Sequence, residues 1–163
     1  MLKLPILMVF ALPLLNPVLG FDAVPVIVPA DLFSRQVVEL TNRERQAKGL
    51  RPLKRQITIR EAAQWLADDM VKKSYFSHTD SLGRDFSTRL RDFGYENASV
   101  MAENIGLGAP DPAKAVANWM KSPGHRTNIL NPELTEIGVG YAYKGTDPYR
   151  HYWVQDFGTR TEG

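Results

Sequence analysis

Three side chains in this 163-residue chain are suited to chemistry and have neighbours that would aim them: His78 in SYFSH, Glu103 in AENIGLG and His125 in SPGHR. Two imidazoles and a carboxylate can hold a divalent ion such as zinc and leave a position for water. The spacing alone does not select that chemistry, because HExxH and the other local ligand patterns are missing. A histidine in a turn is as well suited to bonding or capping backbone. Glu103 and Asn104 are equally suited to tying down the loop after a strand.

Other chemistries find less support. The chain has no cysteine, which excludes thiolate nucleophiles and Cys-based metal sites. Ser77 and Ser122 lie near histidines in sequence, but there is no GxSxG elbow to present a nucleophile. There is no phosphate-binding loop and no dinucleotide fingerprint. Arg126 and Asn128 read as braces for the 122–131 turn, and His151, between aromatic neighbours, reads as an ordinary strand residue.

The elements that must position these groups follow from periodicity. A first helix is predicted from Asp31, a good N-cap, to Lys48, with Gly49 as its stop and Leu32, Phe33, Val37, Leu40 and Ala47 as its apolar stripe. A second fits Thr58 to Lys73, where Ile59, Ala62, Ala63, Leu66 and Met70 share a face whose alanines permit close approach of a neighbour. It delivers His78 just beyond its end. A third covers Phe86 to Phe93 and stops at Gly94. A fourth begins after Asp111, with Pro112 in the first turn, and runs to Lys121, with Ala113, Val116, Ala117 and Met120 inward. A short strand is expected around Val100 to Glu103, and two more over Glu136–Tyr143 and Tyr149–Phe157. Ser122-Pro123-Gly124 reads as a tight corner presenting His125. Four helices and a three-stranded, mostly antiparallel sheet predict an α+β fold, a three-layer α-β-α sandwich.

Residues 1–20 read as an export signal: Lys3, then the apolar run Ile6 to Leu15, then small residues up to Gly20. That run holds prolines and is shorter than the ~20 residues of a spanning helix. No later stretch is long and apolar enough to span, so no membrane span is expected after signal removal. Residues 21–30 read as an extended leader and 31–160 as one domain. The formal net charge of +2 comes without a dense basic cluster, so no nucleic-acid partner is expected. The expected location is extracellular or periplasmic. A domain of this kind without disulfides must be held by its packed core.

NRERQAKGLRPL, YFSHTDSLGRDFSTRLRDFGY, AENIGLG, WMKSPGHRTNILNPELTEIGVGYA and YWVQDFG, in this order, resemble the CAP superfamily of cysteine-rich secretory, antigen-five and pathogenesis-related proteins, and its bacterial SCP-domain branch in particular. The resemblance covers roughly Leu32 to Gly158. It implies an α-β-α sandwich whose central cleft is lined by two histidines and two acids that hold a divalent ion in some relatives. His78 matches the first histidine, Glu103 the first glutamate and His125 the second histidine. At the fourth place, where many relatives carry a glutamate, this chain has Ser122. With one carboxylate fewer, any ion such as zinc would be weakly held by at most His78, His125 and Glu103, and no cofactor is required.

Function follows less directly, because one fold hosts many activities. The expectation is a secreted, non-enzymatic binding module whose cleft, built on His78, Glu103, His125 and Ser122, recognises a small-molecule, lipid or envelope ligand. The alternative is a metal-assisted hydrolase in which His78 and His125 hold the ion and Glu103 is ligand or general base. The resemblance names neither the ligand nor the oligomeric state.

Overall fold

The structure is a computed structural model and describes residues 30–161. The expected export signal (1–20) and all but the last residue of the expected leader (21–30) lie outside the described residues. Ala30 itself is already helical.

Five helices and four strands follow one another in the order α1 Ala30–Gln46, β1 Lys54–Arg55, α2 Ile57–Lys73, α3 Phe86–Asp92, β2 Ala98–Leu107, α4 Pro112–Lys121, α5 Pro123–Ile129, β3 Glu136–Tyr143 and β4 His151–Arg160. The sheet order is β1-β3-β4-β2. Only the two-residue β1 runs parallel to its neighbour; β3–β4 and β4–β2 are antiparallel. β1 was not expected, since two charged, exposed residues carry no strand pattern. Its pairing with Glu136 and Ile137 comes from the chain passing β3 between two helices.

Helices cover both faces of the sheet, as a sheet apolar on both sides requires. Ile137, Val139, Tyr141, Trp153 and Phe157 pack with α1, α4 and α5. Val154, Tyr152 and Ile105 pack with α2 on the other face, where α3 adds Leu90 to a cluster with Ile59, Ala62 and Tyr95. The predicted stripe of α2 is buried residue for residue. Its alanines do what their size allows. A Cβ on Gly140 would lie 2.3 Å from the Ala63 carbonyl oxygen, and one on Gly138 would lie 2.1 Å from the Arg60 nitrogen, so helix and strand touch backbone to backbone.

Four expectations are corrected. The buried face of α1 is Ser34, Val37, Val38, Thr41 and Arg45; of the expected stripe Val37 is buried and Phe33 and Leu40 pack against the core, while Leu32 and Ala47 are exposed. Three of those five buried residues are polar because each polar group has an internal partner; Thr41 Oγ1, for one, accepts from Gln155 Nε2 at 2.7 Å. α4 is rotated similarly, burying Pro112, Ala115, Val116 and Trp119 in place of Ala113 and Ala117. β2 runs on through Gly106, where an exit loop was expected, because Trp119 lies against that residue and a Cβ there would meet its Nε1 at 3.2 Å. Ser-Pro-Gly is not a tight corner but the start of α5, with Pro123 in the first turn and Gly124 outside the left-handed region.

Candidate functional site

β2 is an edge strand, and its free edge is the spine of the site. Carbonyls that would otherwise face an open edge are taken by side chains: Asn128 Nδ2 donates to Glu103 O at 3.2 Å and Trp119 Nε1 to Ile105 O at 3.1 Å. His78 reaches this edge from the α2/α3 side of the sheet and His125 from the α5 side.

His78 lies in the loop between α2 and α3, and two buried aspartates shape that loop. Asp69 of α2 accepts from Tyr75 Oη at 2.5 Å and from the Ser81 N–H and Oγ at 2.9 and 2.8 Å. Asp80 accepts from the N–H groups of Leu82 and Arg84 at 2.9 Å and from Arg84 Nε at 2.8 Å. These bonds brace the loop on either side of His78, whose Nδ1 lies 2.6 Å from Glu103 Oε1.

Glu103 on β2 stands directly opposite Asp156 on β4. Two carboxyls on one face of an antiparallel pair repel if both ionise. Arg89 of α3, fully buried, lies over them: its Nη2 bonds Glu103 Oε2 and is 4.0 Å from Asp156 Oδ2, while Nη1 donates to the His78 carbonyl at 3.4 Å. One guanidinium does not offset this much desolvation. Burial, opposed by Arg89, pushes the Glu103 carboxyl up to about 7. Burial first, then the charge of Glu103, raises Asp156 well above the usual carboxylate range. Neither Asp156 oxygen accepts a hydrogen bond from a described residue. A protonated Asp156 resolves this by donating toward Glu103, so the pair holds a proton at neutral pH.

Burial also lowers both imidazoles from their usual range, and charge on His78 lowers His125 further. Near neutrality the 2.6 Å contact therefore needs only one proton, shared between Glu103 and a neutral His78.

His125 is in the first turn of α5, and a second polar network sets that helix against β2. Asn104 Nδ2 donates to the His125 carbonyl at 3.2 Å and to Gln155 Oε1 at 2.9 Å; Asn128 Nδ2 donates to Asn104 Oδ1 at 2.9 Å. Asn128 therefore ties α5 to the strand instead of bracing its own turn. At the far end of α5, buried Arg45 donates to the carbonyls of Ile129 and Asn131 at 2.8 Å and of Leu134 at 3.2 Å, capping the helix. Ser122, the residue before α5, makes no side-chain capping bond, and with His125 it lines a pocket beside Trp119 and Trp153.

The structure thus brings His78 and Glu103 into direct contact and sets His125 and Ser122 across the same strand edge. His151 lies elsewhere, with its Nδ1 3.0 Å from Tyr141 Oη. Sequence reasoning missed Arg89, Asp156 and Arg45. A signal existed for Arg89: it sits three residues after Phe86 and one before Leu90, on the buried stripe of a short helix, where a lone guanidinium implies a buried acid.

A family model described as the cysteine-rich secretory protein family, CAP, matches residues 38–157. The chain belongs to this family. Among curated relatives, this CAP domain is 42% identical over 126 residues to the uncharacterized protein YkwD of Bacillus subtilis, covering 77% of this chain and 46% of that protein. It is 32% identical over 123 residues to the uncharacterized membrane protein YlbC of the same organism, covering 76% and 33%. The chain therefore spans less than half the length of these relatives. Among solved structures, an extracellular SCP-domain protein of Bacillus anthracis superposes with a TM-score of 0.70 at 27% identity, covering 81% of this chain and 41% of that one. An outer surface protein of Borrelia burgdorferi superposes at 0.74 with 18% identity, covering 82% and 97%, and shows the fold alone.

The donor set bears on the divalent ion that the resemblance implies. Both oxygens of Glu103 are engaged, one by His78 and one by Arg89. Among the described residues no group of three His, Asp or Glu side chains is spaced to hold a metal. As the side chains stand, an ion would meet two imidazoles, with Glu103 behind His78 as the carboxylate that orients a ligating ring.

Proposed function

We propose that this CAP domain is an exported binding module whose cleft, between His78 and His125 and over the edge of β2, recognises a small-molecule, lipid or envelope ligand. One observation carries the reading. The carboxyls are withdrawn from the cleft and share Arg89 and a proton, while the His78 side chain, 54% exposed, is left facing out. Such a site offers neutral donors and acceptors to a ligand. Export is supported by the pattern of residues 1–20 and by the similar Bacillus anthracis protein, which is described as extracellular. Among the described residues no helix is long and apolar enough to cross a membrane.

The test is a ligand screen on the purified protein, using cell-envelope fragments, lipids and small metabolites. Saturable binding that is lost in the His78→Ala, His125→Ala double variant, with no turnover of peptide or ester substrates, is the expected result. Robust turnover abolished by His125→Ala overturns the reading.

A second reading, a metal-assisted hydrolase, draws on a different observation. A carboxyl pushed up to about 7 and in contact with an imidazole is matched to proton transfer at neutral pH. Here His78 and His125 would hold the ion and Glu103 would handle the proton. Metal content near zero in folded, zinc-supplemented protein rules this out.

A further inference from the structure

Beside His125, a slot of about 230 Å³ opens between β2, α4 and the start of α5. Its walls include Ile105, Ala115, Trp119 and Trp153, all buried; Ser122 and His125 stand at its rim. Both indole N–H groups are already satisfied inside the protein, Trp119 Nε1 by Ile105 O at 3.1 Å and Trp153 Nε1 by Ala109 O at 2.8 Å. The indoles and Ala115 therefore present carbon, and Asn118 joins Ser122 and His125 as the polar side chains of the lining. The volume exceeds the ~150 Å³ of a dry cavity that takes benzene and falls below the ~300 Å³ at which whole-ligand sites begin. The slot suits one ring of a larger molecule.

The rim is polar and carries no acid. Ser122 and His125 can donate from a hydroxyl and an imidazole, no carboxylate lines the slot, and the carboxyls of Glu103 and Asp156 are buried under Arg89. An anionic group at the rim finds donors with no fixed negative charge opposing it.

We propose, resting on the binding reading above, that this slot takes the aromatic ring of an arylalkyl carboxylate, with the carboxylate held at the rim by Ser122 and His125. Aromatic rings favour edge and offset contacts with indoles, which fits a slot lined by Trp119 of α4 and Trp153 of β4.

The test uses 3-phenylpropionate and its neutral counterpart 3-phenylpropanol, followed by NMR at the indole N–H signals of the full chain. Wild type is expected to show saturable shifts at Trp119 and Trp153 with a Kd of order 1 mM, as suits so small a probe. Ser122→Glu, which puts a negative charge at the rim, is expected to weaken the acid about tenfold and the alcohol less than about twofold. Ala115→Leu, which fills the slot, weakens both; should it fail to fold, Ser122→Glu alone still decides. No indole shift at about 10 mM probe, or equal affinity of the acid for wild type and Ser122→Glu, overturns the proposal. Acid binding that leaves both indoles unmoved and is lost in His78→Ala also overturns it, yet leaves the cleft reading standing. If instead the slot binds the acid while the envelope screen finds nothing, the cleft reading falls and the slot remains.

Discussion

At the scale of residues, the protein's chemistry turns on how one guanidinium and two carboxyls share a dry space. Arg89 is the compensating charge, so Arg89→Met is expected to cost about 3–5 kcal/mol, read as a lower urea midpoint, because it leaves Glu103 and Asp156 facing each other without a cation. The pH dependence has a definite sign. Folding raises the Glu103 carboxyl from its ordinary 4.5 to about 7, so the folded state binds that proton more tightly than the unfolded chain. The stability this confers is complete below about 4.5 and is lost as pH rises to about 7, up to about 3 kcal/mol. His78, lowered by burial, contributes with the opposite sign as pH falls through its ordinary 6.5. Glu103→Gln separates the two: its amide oxygen can accept from Arg89 and its NH₂ can donate to His78. Between pH 5 and 7.5 the urea midpoint of Glu103→Gln should fall less than that of wild type, and an identical pH profile contradicts the raised Glu103 carboxyl.

At the scale of elements, two contacts decide whether the site is presented at all. The first is α2 against β3. Gly140→Ala drives a Cβ to 2.3 Å from the Ala63 carbonyl, a backbone atom that moves only if the helix does. The expected cost is about 1–3 kcal/mol or more, seen as a fall of several degrees in Tm. The second is α5, a helix too short to stand alone and held by Asn104, Asn128 and Arg45. Asn128→Ala should loosen its first turn and raise hydrogen exchange at His125 and Arg126 above that of the β4 core. The elements also show what was legible. The faces of α2 and of β3 could be read because their periodicity is purely apolar. That of α1 could not, since Thr41 and Arg45 are buried through partners 80 or more residues away, which no local window contains.

At the scale of the whole molecule, the sandwich is a device for bringing the α3 side and the α5 side to one strand edge. The two imidazoles then feel each other, and His78→Ala should raise the His125 pKa toward its ordinary value in an NMR titration, because it removes a neighbouring charge. No change in His125 would mean that the rings do not share a cleft.

The amino-acid sequence by itself determined the layered architecture and the family, and it nominated His78, Glu103 and His125 by their chemistry and Ser122 by the family resemblance. Architecture follows from local periodicity and family from the order of the motifs. Only the tertiary structure decided what Glu103 does. Its partners Arg89 and Asp156 come from other elements, and their burial together sets where the protons sit. The helical start at Pro123 was likewise decided by packing, since Ser-Pro-Gly begins a turn or a helix with equal ease until β2 supplies Asn104 to hold it.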